Sequence, residues 1–285
     1  MNYLNKQAIN DFIDAALQED VGDGDHSSLA SIPANEENKA QLLVKDNGIV
    51  AGVELAEIIF ARVNKNLKVN IHIKDGSAIK YGDIVLDVEG NARSILLAER
   101  LVLNCMQRMS GIATKTFKLN QLIQHTGCKL LDTRKTTPNF RLPEKWAVAI
   151  GGGINHRFGL FDMIILKDNH VDFAGGIEKA IKATKDYLVR TGKKLKIEVE
   201  TRNLEEIKQV LKVGGIDRIM LDNMDIPTLK EAVALINKQY ETEASGGITE
   251  ETIAAIASTG VDYISVGALT HSVKSLDLSL KAIKK

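Results

Sequence analysis

The chain has 285 residues, 44% apolar and 26% charged, with 37 basic and 37 acidic side chains and a formal net charge of zero. This is the composition of an ordinary soluble globular protein, long enough for one barrel-sized domain or two smaller ones. Balanced charge argues against a general nucleic-acid or membrane-surface role, and no apolar run approaches the ~20 residues that span a bilayer. The opening MNYLNKQAINDF lacks the basic-then-apolar pattern of a signal peptide. The two cysteines, Cys105 and Cys128, have neither metal-ligand nor disulfide-framework spacing, and Cys105 sits in an apolar helical run that reads as core. The expected setting is reduced and cytoplasmic.

Two styles of sequence meet near residue 112. Ala8, Ile9, Phe12, Ile13, Ala16 and Leu17 recur at helical spacing and predict an amphipathic first helix. GDGDHSS, from Gly22 to Ser28, reads as a break and turn. Strand-like runs follow at Lys39 to Val44, Gly48 to Val50, Val69 to Ile73 and Ile84 to Val88, punctuated by Asp46-Asn47-Gly48, Asp75-Gly76 and Tyr81-Gly82-Asp83. A helix over Glu54 to Val63 sits among them, and a long helical pattern runs from about Ser94 to Met109 until Ser110-Gly111 interrupts it. The pattern predicts an α+β domain with a mainly antiparallel sheet.

Beyond residue 112 short apolar strands end in polar residues and alternate with helices. The strand ends are at Asp132, Lys167, Glu200, Asp222, Ser245 and Gly267; the helices read as Ile177 to Arg190, Asn203 to Val213, Pro227 to Lys238 and Thr249 to Ser258. Six βα units without a Rossmann-type glycine fingerprint favour a parallel α/β barrel. In such a barrel the C-terminal strand ends converge on one mouth, and here they bring Asp132, Arg134, Lys135, Lys167, Glu200, Asp222, Asn223 and Ser245.

The stretch Leu131 to His170 carries the most chemistry. Between Thr133 and Phe161 lie Arg134, Lys135, Arg141, Lys145, His156 and Arg157, with Glu144 as the only acid, and Gly151 to Gly153 precede Asn155-His156-Arg157. Cations beside bare backbone suit a small substrate with several negative charges, and interleaved Trp146, Val148, Ile150 and Phe158 argue for a packed site. Glu200 and Asp222 come from neighbouring units; they suit a hard divalent cation, Mg²⁺ above all, although the same pair also reads as ion-pair partners for Lys135 and Lys167. Ser245-Gly246-Gly247 and Gly267-Ala268 close the last two strands and suit a phosphate cradle at helix N-termini, with ordinary tight turns as the bland alternative. A terminal phosphate, a Mg²⁺-bound polyphosphate and a second anionic group held by arginines together point to phosphoribosyl transfer onto an acidic base.

The motifs ERLVLNCMQRMSGIAT (Glu99 to Thr114), DTRKTTPNFR (Asp132 to Arg141), EKWAVAIGGGINHRFGL (Glu144 to Leu160), LKDNH (Leu166 to His170), EVE (Glu198 to Glu200), LDN (Leu221 to Asn223), EASGGI (Glu243 to Ile248) and GVDYISVGALTHS (Gly260 to Ser272) run in order through nearly the whole chain. In them the sequence resembles the quinolinate phosphoribosyltransferases. The resemblance implies an N-terminal α/β sandwich over 1–112, completed by about 273–285, and an open α/β (TIM-like) barrel over 113–272. It implies a homodimer or multiple of dimers. It also implies that Arg134, His156 and Arg157 bind the carboxylates of quinolinate, with Arg100 reaching in from the neighbouring subunit. Lys135 and Lys167 would contact the substrates, Lys135 near phosphoribosyl pyrophosphate, and Glu200 and Asp222 would hold ribose hydroxyls and Mg²⁺. Asn139 stands where many members have glycine, and Trp146 where many have tyrosine. Three other readings stay open: a phosphoribosyltransferase-like relative associated with molybdenum transport, a Schiff-base barrel lyase using Lys135 or Lys167, and a non-catalytic binding protein of the same fold.

Overall fold

The computed structural model describes residues 3–283. The chain divides into two compact units, one of Met1–Phe117, Thr136–Gly152 and Ala268–Lys285, the other of Lys118–Lys135 and Gly153–Gly267. The division expected from sequence placed 136–152 with the barrel; the compact units group it with the N-terminal segment. Residues 284 and 285 of the expected completing tail lie outside the described residues.

In the first unit, the helices are Lys6–Val21, His26–Ser31, Val53–Val63 and, as far as Phe117, Ala92–Ile123, and the strands are β1 (Glu37–Val44), β2 (Gly48–Ile49), β3 (Lys68–Ile71), β4 (Ala78–Ile79) and β5 (Ile84–Asn91). The period-2 pattern of β1 buries Ala40, Leu42 and Val44 and turns Lys39 and Gln41 to the opposite face. Its antiparallel partners match that side: Leu42 lies opposite Leu86 of β5 and opposite Leu280 of the C-terminal strand Leu278–Ala282. The four-stranded order is therefore C-terminal strand, β1, β5, β3. The helix Val53–Val63 buries Leu55, Ile59 and Phe60, each contributing roughly 1.5–3 kcal/mol of apolar burial.

Two local expectations need correction. The Gly22–Ser28 turn ends early, because Asp25 accepts the Ser28 amide at 3.2 Å and caps the short helix His26–Ser31. Ser110-Gly111 does not interrupt its helix, which runs unbroken over Ala92–Ile123. The Ser110 hydroxyl accepts the Ala51 amide at 2.9 Å, and a Cβ on Gly111 would overlap the Lys274 carbonyl. The pair is a close-approach site whose contacts offset the ~1 kcal/mol helix cost of glycine. The basic stretch divides as well. Within the helix Arg141–Ile150 of the first unit, Glu144 and Lys145 are fully buried. Glu144 accepts from Arg108 (Nη2 at 2.9 Å) and from the Thr137 amide and hydroxyl at 3.0 and 2.9 Å. It serves packing of that unit rather than a solvated basic surface.

The second unit holds six parallel strands: β6 (Lys129–Leu131), β7 (Ile164–Leu166), β8 (Ile197–Thr201), β9 (Arg218–Asp222), β10 (Glu241–Ser245) and β11 (Tyr263–Ser265). Their ladder order is β6-β11-β10-β9-β8-β7. The connections carry helices at Asp168–Ala174, Ile177–Thr191, Leu204–Val213, Ile226–Ile236 and Ile253–Ala257, as alternating strand and helix patterns require. Beyond β6, Ile154 adds one parallel bridge to Leu131. Among the described residues no ladder joins β7 to β6, so the sheet is open. It is also curled: His156, two residues past that bridge at one end of the ladder, touches Glu198 of β8 and Glu243 of β10 at once. Parallel strands place all their C-terminal ends at one edge, where the predicted residues of this unit cluster.

Candidate active site at the C-terminal edge of the parallel sheet

Strand register fixes which side chains share the face that His156 meets. In β8, β9 and β10 the pairs Glu198↔Arg218, Glu241↔Arg218, Glu200↔Met220, Glu243↔Met220 and Ser245↔Asp222 put all of these side chains on one face. The rows run from Glu198, Arg218 and Glu241, through Glu200, Met220 and Glu243, to Asp222 and Ser245 at the strand ends. Glu200 and Asp222 are thus diagonal neighbours on adjoining strands.

The deeper rows form an ionic cluster, buried apart from the partly exposed Glu241. Arg218 Nη1 donates to Glu243 Oε2 at 2.8 Å, Nη2 to Glu241 at 3.1 Å, and the guanidinium stacks 4.0 Å from the Tyr263 ring centroid. His156 Nε2 lies 3.0 Å from Glu198 Oε2 and 3.2 Å from Glu243 Oε2. These three residues form the one group among the described residues whose metal-ligating atoms all lie within 4.8 Å of one another. Arg218 already supplies the positive charge that a cation would bring. Burial opposes charge on His156, but the two carboxylates outweigh it and pull the imidazole up to about 9. Burial and the Glu243 charge push Glu198 up to about 7, while His156 and Arg218 hold Glu243 down against its own burial. One proton thus has two homes, imidazole or Glu198. The Arg157 amide donates to His156 Nδ1 at 2.7 Å.

The loop after Ile154 presents the cations. Asp132, fully buried at the end of β6, accepts Asn155 Nδ2 at 2.7 Å and the His156 amide at 2.8 Å. Arg157 Nη1 donates to the Met163 carbonyl at 3.1 Å. Asp162 accepts the Phe158 and Gly159 amides at 2.7 and 2.9 Å. Burial and the Arg134 charge depress the Arg157 guanidinium, which places two cations in one field at a half-buried position. Such a pair is complementary to an anion. Asp132, expected among the mouth residues, is instead the buried anchor of this loop. His156, expected to bind a carboxylate, turns both ring nitrogens toward protein groups.

Along the same edge, Lys167 Nζ sits 3.6 Å from Glu200 Oε2, and the Asp168 amide donates to Glu200 Oε1 at 3.3 Å. Asn223, with φ of 53°, donates from Nδ2 to Asp222 Oδ2 at 2.7 Å and from its amide to the Ser245 carbonyl at 2.9 Å. Gly246 (φ +94°) packs against Asn223 so tightly that a Cβ would overlap its Cγ and Oδ1; Gly247 (φ +59°) has open space. The expected helix from Thr249 begins only at Ile253 and spans five residues, so the glycine pair does not open a helix. The dipole argument for a cradle fails there, and what remains is backbone amides in a left-handed turn. Gly267 follows β11, and Ala268 begins the four-residue helix Ala268–His271 of the first unit. Lys135 is exposed beyond β6, and Arg100 is exposed on the helix Ala92–Ile123. A separate cleft of about 570 Å³ in the first unit, lined by Phe12, Leu101, Asn104 and Phe140 among others, contains none of the predicted residues.

Sequence reasoning assigned no role to Glu198, Glu243 or Arg218. The signal was present as acids at i and i+2 in apolar strands, Glu198/Glu200 and Glu241/Glu243, because a period of two puts such acids on one face.

Comparison with known proteins covers almost the whole chain. Residues 25–110 match the N-terminal domain, and residues 112–281 the C-terminal domain, of quinolinate phosphoribosyl transferase. The probable nicotinate-nucleotide pyrophosphorylase [carboxylating] of Bacillus subtilis (strain 168) is 41% identical over 98% of this chain and 94% of its own length. The chloroplastic nicotinate-nucleotide pyrophosphorylase [carboxylating] of Arabidopsis thaliana is 51% identical over 94% of this chain and 81% of its own. The crystal structure of NadC from Streptococcus pyogenes superposes with a TM-score of 0.90 at 38% identity, covering 99% of this chain and 100% of that one. With both domains matched in order and identities well above the level at which fold alone is shared, the chain belongs to the quinolinate phosphoribosyl transferase family.

Proposed function

We propose that this chain transfers the phosphoribosyl group of phosphoribosyl pyrophosphate to quinolinate, releasing pyrophosphate and CO₂ and forming nicotinate mononucleotide for NAD biosynthesis. Family membership supports this activity. The observation that carries the substrate assignment is the Arg134–Arg157 pair, two guanidiniums in one field beside an edge of carboxylates. Planar guanidiniums pair with carboxylates in a bidentate way that lysine cannot copy. Arg134 and Arg157 thus hold the two carboxylates of quinolinate, with Lys167 as the third cation. The pyridine nitrogen donates its electron pair to the anomeric carbon as the bond to pyrophosphate breaks. Glu200 and Asp222, fixed in place before reaction, stabilise the cation-like ribose. The new pyridinium accepts the electron pair left when the 2-carboxylate departs as CO₂, and a proton from water completes the ring. Lys135, Asn223, Ser245, Gly246, Gly247, Gly267 and Ala268 contact the phosphates of phosphoribosyl pyrophosphate.

Glu200 and Asp222 offer hard carboxylate oxygens from adjoining strands on one face, which fits Mg²⁺. Bound there, Mg²⁺ would take up charge on the departing pyrophosphate. The functional form is a homodimer or multiple of dimers in which the partner subunit's Arg100 completes the quinolinate site, and the enzyme works in the cytoplasm. No helix is long and apolar enough to cross a membrane. A Schiff-base lyase is disfavoured because Lys167 is held in an ion pair with Glu200 rather than desolvated, and because it leaves the arginine pair without a task. The test is a product assay with quinolinate, phosphoribosyl pyrophosphate and Mg²⁺, and nicotinate in a parallel tube. Nicotinate mononucleotide, pyrophosphate and CO₂ form from quinolinate alone; no product from folded enzyme overturns the reading.

A further inference from the structure

Ile154 runs beside β6 as an added parallel strand for a single step. Its amide donates to the Leu130 carbonyl at 2.8 Å, and its carbonyl accepts the Asp132 amide at 3.2 Å. The next rung of a parallel ladder would take the His156 amide to the Asp132 backbone carbonyl. The Asp132 side chain takes it instead: Oδ1 accepts the His156 amide at 2.8 Å, and Oδ2 accepts Asn155 Nδ2 at 2.7 Å. A side-chain acceptor in place of a backbone one lets the two segments part while they stay tied. One leads to Arg134, two residues on, and the other to Arg157, next after His156. Asp132 is fully buried, so bulk water does not compete for either donor. The far side of the loop is held separately. Arg157 Nη1 donates to the Met163 carbonyl at 3.1 Å, and Asp162 accepts the Phe158 and Gly159 amides. The bases of the two arginines therefore meet at Asp132.

We infer that Asp132 is a positioning residue that determines specificity: it fixes the separation of Arg134 and Arg157 and so selects a diacid whose carboxylates sit on adjacent ring atoms. The inference rests on the proposed reading that these two arginines hold the substrate's carboxylates. Guanidinium–carboxylate pairing is planar and bidentate, so two such pairs made at once fix the distance between the carboxylates as well as their directions. Burial and the Arg134 charge together depress the Arg157 guanidinium, so the two cations repel in one field. Like charges spread unless their backbones are tied. A spread pair fits carboxylates on adjacent atoms poorly and carboxylates one ring atom further apart better. Asp132→Ala removes both acceptors. Asp132→Asn keeps one oxygen for the His156 amide, and the Asn155 carboxamide can turn its own oxygen toward the new NH₂ group, which restores part of the tie.

The test is competitive inhibition of the whole enzyme, against quinolinate, by benzene-1,2-dicarboxylate and benzene-1,3-dicarboxylate. Both carry two carboxylates and lack the ring nitrogen that reacts. Wild-type enzyme binds the 1,2 isomer about tenfold or more tighter than the 1,3 isomer. In Asp132→Ala that ratio falls below about threefold and KM for quinolinate rises about ten- to a hundredfold, while KM for phosphoribosyl pyrophosphate changes less than about twofold. Asp132→Asn lies between. General loosening of the fold would weaken both isomers and raise both KM values together, so the ratio is a readout that a merely structural role does not move. Circular dichroism checks folding, and if Asp132→Ala does not fold, Asp132→Asn carries the test. A wild-type ratio in the variant that carries the test, or equal rises in both KM values, overturns the inference and leaves the arginine reading standing. Wild-type enzyme that does not distinguish the isomers overturns the arginine reading and the inference with it.

Discussion

Gly246 and Gly247 provide a matched pair for testing the turn after β10. Both have positive φ, +94° and +59°, so alanine at either carries backbone strain of roughly 1–2 kcal/mol. The neighbours differ. At Gly247 an added Cβ meets nothing within 4 Å, so strain is the whole cost. At Gly246 the Cβ would come closer to Asn223 than the 3.0 Å that real Cβ atoms keep. Asn223 cannot simply yield, because its own φ is 53° and its amide is bound to the Ser245 carbonyl at 2.9 Å. Its side chain must rotate, breaking the 2.7 Å bond to Asp222, worth about 1 kcal/mol at this exposed position. Gly246→Ala therefore costs roughly 2–3 kcal/mol and Gly247→Ala roughly 1–2 kcal/mol. Urea unfolding with equal m-values measures the difference. Because the rotation also releases Asp222, KM for phosphoribosyl pyrophosphate rises about tenfold or more in Gly246→Ala and much less in Gly247→Ala. Equal stability costs together with equal KM values would refute the reasoning.

Four further outcomes are expected. Arg134→Lys keeps the charge but loses the planar fork, and a charged hydrogen bond of roughly 1.5–3 kcal/mol translates into a rise in KM for quinolinate of about ten- to a hundredfold; an unchanged KM removes Arg134 from the carboxylate role. EDTA abolishes turnover and Mg²⁺ restores it while circular dichroism stays constant, and full activity in EDTA rules out the metal. Burial pushes the Cys105 and Cys128 thiols up to about 12, with the Asp262 charge adding at Cys128, so iodoacetamide at pH 8 leaves both unmodified until the protein unfolds. The same shifts fix a sign. A folded-state pKa above the unfolded one stabilises fully below the ordinary thiol value of 9.0, and that stability is lost as pH rises toward about 12. A Cys105→Ala variant loses stability less steeply over that window, and an identical slope refutes the assignment.

Much of the architecture is legible because periodicity is a local property. β1 alternates Ala40, Leu42 and Val44 against Lys39 and Gln41, and the helix Ile177–Thr191 places Ile177, Ala180, Ile181 and Thr184 on one buried face. Where sequence reasoning failed, a distant partner decided the outcome. Ser110-Gly111 looks like a break until Ala51 and Lys274 supply what a serine and a bare Cα are for. Lys145 and Glu144 look like part of a basic loop until Arg108 and Thr137 close around Glu144. The residues at the sheet edge were predicted from strand ends alone, and Lys167, Glu200, Asp222, Asn223, Ser245 and Gly246 do lie at those ends. Their chemistry could not be assigned from position, since strand ends also meet water for no functional reason.

Depth along a strand settles what the residue type leaves open. Glu198 and Glu200 differ by one pleat repeat, about 6.6 Å, and face the same way. The lower one is buried beneath His156 and beside Arg218, where an ionised carboxyl is expensive and burial pushes the group up to about 7. The upper one reaches the edge and meets Lys167 and the Asp168 amide. β10 repeats the arrangement, with Glu243 paired to Arg218 below and Ser245 at the rim above. Two buried anions and one buried cation would leave the interior charged; a proton shared between His156 and Glu198 brings it to neutrality. On the proposed reading, neutrality below lets the field of Arg134, Arg157 and Lys167 at the rim act on a dianionic substrate instead of on the protein's own interior.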